Sequence, residues 1–267
     1  MKYRNQNENY YDTEFFKSRG KIVHLDLPKS VITQKKIGQA SGILETYRIL
    51  KKLRFSLFIL VIISPYLLVV PIVAILMCHI HNRMSVKLKY KMNKEQQEKF
   101  LYSMPVFIKI VKSKKISWVK SKSQVIESRY EAGAEQVLNI VRCYISQTIQ
   151  FPFEGNIKIW SVKTDDESIA FFPDKIVIID RDNIAVIPNS DLKYDYEDFD
   201  CIESEVVPQD AEVIGYTWTY VNNDGSPDRR FKNNRQLPIC RYGKIKISSK
   251  NGLNLILIFS NRRAWYE

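Results

Sequence analysis

The densest group of side chains with chemical potential is Asp228, Arg229, Arg230, Asn233, Asn234 and Arg235, inside residues 227–238. A carboxylate among guanidinium groups can act as a base beside clamps for a phosphate. The other parts of such a site do not accompany it. The three histidines, His24, His79 and His81, are remote in sequence, and no glycine-rich phosphate loop opens a helix. Nor is there a G-x-S-x-G, an H-E-x-x-H or a nuclease-type pair of acids. The stretch reads better as a long connection between strands, in which Asp and Arg pair and asparagines close turns. A buried Asp–Arg pair with Trp218 packed across it would fit either such a connection or a binding site. No catalytic residue is assigned. Trp218, Asp228, Arg229, Arg230, Asn233, Asn234 and Arg235 are instead the candidate partner-binding residues.

Metal chemistry has no better footing. His79 and His81 are two residues apart, a spacing that does not share one helical face. Cys78, Cys143, Cys201 and Cys240 form no C-x-x-C pair, so neither a zinc ribbon nor a small disulfide framework is indicated. Free thiols in a reducing compartment are expected. No metal and no cofactor is assigned.

The feature that must position everything else is residues 55–80, FSLFILVIISPYLLVVPIVAILMCHI, 26 residues without a formal charge. A straight helix of that length rises about 39 Å, against a hydrocarbon core of about 30 Å. It is expected to enter a bilayer through Phe55, Phe58, Ile62, Tyr66, Ile75 and Met77. Pro65 and Pro71 interrupt it, so it forms either one kinked span or a hairpin. Arg48, Lys51, Lys52 and Arg54 precede it, and Arg83 and Lys87 follow, all placed at lipid headgroups. Basic residues near a span favour the cytoplasmic side. Both ends ask for it, which suits the hairpin, while length suits the single span. The N-terminus lacks an early apolar core of the kind a cleavable signal peptide has.

Charge is unevenly spread over the 267 residues. From Met1 to Tyr130, 25 Lys and Arg stand against 8 Asp and Glu; beyond it, 16 stand against 21. The basic half brackets the apolar stretch, which suits anionic lipid. Nucleic acid would attract the same charges.

Four segments are expected: a basic, partly loose region over 1–48, the membrane segment over 49–84, a basic strand and helix connector over 85–150, and a β-rich partner-binding domain over 151–267. Residues 85–90 alternate as a strand, and Asn93 with Gln96 signals a helix start. Pro105 kinks or splits that helix. Residues 112–122 suit a half-buried strand, 121–135 a linker and 134–147 a short helix. Strands are expected over 157–162, 168–172, 175–180, 183–187, 203–207, 212–221, 240–248 and 253–260. Asn251-Gly252 predicts a two-residue type I′ hairpin turn. The acids of 191–205 suit a surface strand or loop. Strands at this spacing imply a sandwich or a partly open barrel, so the fold class is α+β.

The run GYTWTYVNNDGSPDRRFKNNRQLPICRYGKIKISSKNGLNLILIFS, with the upstream AFFPD, resembles a module of uncharacterised bacterial proteins, over roughly the last two thirds of the chain. That resemblance implies no catalytic residues. The order FFPDKIVIID…NIAVIPNSDL is also similar to bacterial pleckstrin-homology-like modules, which implies a scaffold for lipid or protein. The expectation is a non-enzymatic bacterial inner-membrane protein whose soluble part lies in the cytoplasm and holds a protein partner at the membrane. The alternatives are a membrane-damaging effector of a toxin or phage-defence system, a nucleic-acid-binding protein and, least supported, a hydrolase.

Overall fold

The computed structural model describes residues 2–3, 31–63, 85–124, 136–181 and 183–266. In chain order these form β1 (Lys2–Tyr3), α1 (Gln34–Ile63), β2 (Val86–Leu88), α2 (Lys94–Tyr102), α3 (Pro105–Ile110), β3 (Ile116–Gln124) and β4 (Gln136–Arg142). Then come β5 (Tyr144–Ser146), β6 (Phe153–Gly155), β7 (Trp160–Lys163), β8 (Glu167–Phe171), β9 (Lys175–Asp180) and β10 (Asn183–Pro188). The chain ends with β11 (Lys193–Ile202), β12 (Glu212–Trp218), β13 (Gln236–Ser248), β14 (Asn254–Phe259) and a 3-10 turn, Arg262–Trp265. The protein is thus mixed α and β, and rich in strand.

Two compact units share the chain, and neither is a consecutive block. One comprises Met1–Ser18, Tyr102–Ile145 and Ser190–Glu267; the other comprises Arg19–Leu101 and Ser146–Asn189. The interleaving follows from strand pairing between distant segments. β3, for example, takes as its neighbour β14, from the far end of the chain.

In the first unit the strands pair in a ring. β1 joins β11 to β4, β4 pairs β3, β3 pairs β14, β14 pairs β13, and β13 returns to β11, every pair antiparallel. The long β13 serves two neighbours on its other side, β14 along its second half and β12 along its first. Alternate residues fill the interior: Val119, Leu138, Phe199, Cys201, Cys240, Tyr242, Ile256 and Ile258 form one buried cluster. On the other face of β13 and β14, Ile245, Ile247, Leu255 and Leu257 are also fully buried. Gly243 is required where it stands, because a Cβ there would lie 2.4 Å from the Phe259 ring.

β11 shows why the acidic stretch is a strand. Phe199 and Cys201 turn inward, while neighbouring acids meet cations from β13 and from the 3-10 turn. Arg241 binds Asp200 at 2.7 and 2.8 Å, Lys244 binds Glu197, and Arg262 binds Asp198 at 2.6 Å.

The second unit is a meander, β7 to β10, bordered by the short β5 whose last residue opens the unit. β9 reads KIVIID and is buried along its whole apolar run, as a strand covered on both faces must be. α1 lays Ile37, Ala40 and Leu44 in one cluster with Ala170, Phe172, Val177, Ile179, Ile184 and Val186. The i, i+3, i+7 spacing of the three puts them on one helical face. Asp174, in the turn after Phe172-Pro173, accepts from the Ile32 backbone N–H at 3.2 Å and from the Tyr90 hydroxyl at 2.6 Å. One carboxylate so joins the entry to α1, the segment after β2 and the β8–β9 turn. β2 pairs in parallel with β6.

Several expectations hold at this level. Asn93 and Gln96 form a reciprocal capping box, at 2.8 and 3.0 Å. Pro105 opens α3 at its first position, splitting the expected helix in two. Residues 116–124 are a strand, and the turn after Phe172 is closed by Phe172 N–H to Lys175 O at 2.9 Å.

Others are corrected. Residues 136–142 and 144–146 are strands rather than a helix. β-branched Val137, Ile140 and Val141 favour extended backbone, and β3 offers a ladder from Gln124↔Gln136 to Ser117↔Arg142. The strand expected over 203–207 ends at Ile202. The Glu203 N–H reaches Pro238 O at 2.9 Å, but Pro238 has no N–H to return, and the ladder stops. The Asn251-Gly252 joint is a three-residue loop. Ser249 N–H meets Leu253 O at 3.0 Å, Gly252 N–H meets Ser249 O at 3.2 Å, and only Gly252 is left-handed, with φ of 96°. The hydroxyl of Ser249 receives N–H bonds from Asn251 and Leu253, both at 3.3 Å, and this favours the longer loop.

Among the described residues no helix is long and apolar enough to cross a membrane. Residues 55–63 form the end of α1; the remainder of the apolar stretch lies outside the described residues.

Candidate functional site

The loop after β12 carries the polar cluster, and its carboxylate faces inward. Asp228 is 4% exposed. Arg230 grips it through Nε at 3.0 and 3.1 Å and through Nη2 at 2.6 Å, and the Arg230 backbone N–H adds a bond at 3.0 Å. Asn234 continues the ladder by side chain: its amide nitrogen donates to Tyr220 O at 2.7 Å, and its amide oxygen accepts from Tyr220 N–H at 3.0 Å. Tyr220 stacks on Phe231 with centroids 3.9 Å apart. Asp228 and Asn234 therefore hold the loop closed, as the turn chemistry suggests. Arg229, Asn233 and Arg235 remain exposed, and Arg235 also donates to Ser204 O at 3.4 Å. Trp218 is half-buried at the end of β12.

A second polar assembly was not legible in advance. A cavity of about 830 Å³ opens in the first unit between the end of β4 and residues 203–209. At its wall Glu203, 3% exposed, accepts from Lys115 Nζ at 2.9 Å and from the Tyr242 hydroxyl at 2.9 Å. Its other oxygen accepts from the Glu205 backbone N–H at 3.3 Å. Lys115 also reaches Glu205, at 3.0 Å. Burial alone would pull the Lys115 ammonium down, but hydrogen bonds to Glu203 and Glu205 outweigh it and hold the group above the ordinary lysine value. The same bond holds the exposed Glu205 carboxyl below its usual range. Burial, then the neighbouring Glu203 charge, pushes the Tyr242 phenol far up, so it stays a donor.

Lys115 and Glu203 are 88 positions apart, so spacing could not join them. One signal was present. Phe199, Cys201 and Glu203 share the inward parity of β11, and a charge following two core residues on that side needs a buried partner.

The other candidate residues fall in the second unit. Arg48, Lys51 and Lys52 are exposed along α1, and Lys87 is exposed on β2. Arg54, Phe55, Phe58 and Ile62 lie in the last turns of α1. Pro65, Tyr66, Pro71, Ile75, Met77 and Arg83 lie outside the described residues. The headgroup and partner-binding sets thus belong to different units. Among the described residues no group of three or more His, Cys, Asp or Glu is placed to hold a metal ion. No protein-family model, curated protein or solved structure matches this chain.

Proposed function

We propose that the protein is a non-enzymatic bacterial inner-membrane protein, anchored through residues 55–80, whose strand-rich part holds a partner protein at the cytoplasmic surface. The observation that carries this reading is the uncharged run itself, with basic residues at both ends. The approach to it is consistent: α1 runs without a break into its first residues, and Ile49 and Leu53 are about half exposed beside Lys51 and Lys52. That surface of apolar and basic side chains suits the boundary between acyl chains and anionic headgroups. The exposed Arg229, Asn233 and Arg235 on a loop fixed by Asp228 and Asn234 suit a partner surface, since a rigid loop loses little freedom on binding.

The test is fractionation of cells expressing the chain with and without residues 55–80. The intact chain is expected in the membrane pellet after alkaline carbonate extraction, and the deleted chain in the soluble fraction. A carbonate-soluble intact chain overturns the reading.

A further inference from the structure

Among the described residues, the ring of strands in the first unit is joined between β4 and β11 by β1 alone, through two register pairs on each side: Lys2 opposite Val137 and Ile202, and Tyr3 opposite Gln136 and Cys201. Past Val137, β4 runs on for five residues with no described strand on that side, and the cavity opens along it. Backbone groups of a strand alternate sides from residue to residue. The Cys143 N–H points to β3, donating to Ile116 O at 3.0 Å. By that parity the N–H and C=O groups of Ile140 and Arg142 turn away from β3, toward the cavity. The opening therefore has the form of a strand position that no described residue fills, and β1 shows that extended chain fits the same gap.

Its charge selects an occupant. Lys114, Lys115 and Arg142 line it against Glu203 and Glu205, and Lys115 holds both carboxylates. Among the described residues no ion pair forms through the side chain of Lys114 or Arg142, although the Asp210 carboxylate accepts from the Lys114 backbone N–H at 2.8 Å and the Arg142 charge acts on Glu205. Leu138 and Ile140 supply apolar wall.

We infer that this gap binds a short, extended, acidic peptide segment, which adds a strand to the free edge of β4 and meets Lys114 and Arg142 with its carboxylates. Strand addition draws affinity from main-chain hydrogen bonds and selectivity from alternate side chains. No residue of 221–235 lines the cavity, although Arg235 donates to Ser204 O at its wall, and the inference does not depend on membrane attachment.

The test uses the purified full chain in mild detergent and a dye-labelled pentapeptide alternating valine and glutamate, read by fluorescence anisotropy. The expected results are saturable binding, at least tenfold weaker for Arg142→Glu, and weakened as much when alternate peptide amides are N-methylated. Lysine in place of glutamate in the peptide is expected to abolish binding. Three results overturn the inference: no saturable binding, equal binding of the N-methylated peptide, or full competition by inorganic tripolyphosphate at equal concentration, which would make the gap a simple anion site. Arg142→Lys, which retains the charge, serves as the folding control and is expected to bind within about threefold of the parent.

Discussion

Replacing Lys115 by Met isolates the energetics of the buried Glu203. The substitution keeps most of the side-chain stem and removes the ammonium that lies 2.9 Å from a carboxylate only 3% exposed. Removing one partner of a buried ion pair costs about 3–5 kcal/mol, because the other charge is left uncompensated. Glu203 keeps two of its three hydrogen bonds, to Tyr242 at 2.9 Å and to the Glu205 N–H at 3.3 Å, and the cavity brings water near. The lower end of the range applies, about 3 kcal/mol. For a protein of this size that lowers the melting temperature by about 6–12 °C. The assay is thermal unfolding of the full chain in detergent, followed by near-ultraviolet circular dichroism at pH 7. Adding Glu203→Gln to Lys115→Met removes the orphaned charge and is expected to restore at least half of the loss. A single variant that melts within 2 °C of the parent, or a double variant no better than the single, refutes the argument. The pH dependence follows in sign. Lys115 is raised above its ordinary 10.5, so its contribution is complete below that value and fades as pH rises through the raised one. Glu205 is lowered from 4.5, so its small contribution is present above 4.5 and fades as pH falls through the lowered value. The Lys115 contribution is therefore expected to stay level from about pH 7 to about pH 10 and to fade above that, while toward acid pH the difference between parent and Lys115→Met narrows, because an uncompensated buried carboxylate is relieved by taking up a proton.

Asp228→Ala should release Arg230 and open the loop. Trypsin is expected to cut at Arg229, Arg230 or Lys232 at least tenfold faster than in the parent, and an unchanged rate would show that the pair does not hold the loop. Gly243→Ala forces a methyl group into the Phe259 ring and should cost about 1–3 kcal/mol as overpacking does, read as a lower melting temperature. The less crowded Gly215, where a Cβ meets nothing nearer than 3.9 Å, is the control. Burial pushes the thiols up, Cys143 to about 12 and Cys240 to about 11, and Cys201 higher still. Maleimide at pH 8 should leave all three unmodified in the native protein and label them after denaturation, as read by peptide mass spectrometry.

What the sequence disclosed was whatever a short window determines. The capping box at Asn93, the helix break at Pro105 and the turn at Phe172-Pro173-Asp174 depend on neighbours only, and all three occur as expected. Internal pairing of Asp228 with Arg was legible for the same reason, lying two residues apart. Residues 136–142 misled because VLNIV suits a buried helix as well as a strand, and a ladder with β3 decides between them. β11 outlasted its acidic composition because its cations come from β13 and from Arg262. The compact units are not consecutive blocks because pairing such as β3 with β14 joins residues near 118 to residues near 257. The cavity was invisible for that reason too, since its charged wall joins residues near 115 to residues near 203.

Lipid burial of residues 55–80 is the claim on which the functional account stands. Its most direct measurement is proteinase K digestion of the chain reconstituted into vesicles containing anionic lipid, with mass spectrometry of what stays on the pelleted vesicles. The account predicts a protected, vesicle-bound fragment that contains 55–80 and ends close to the basic residues on either side. Complete digestion of that segment, or its release into the supernatant, would contradict it.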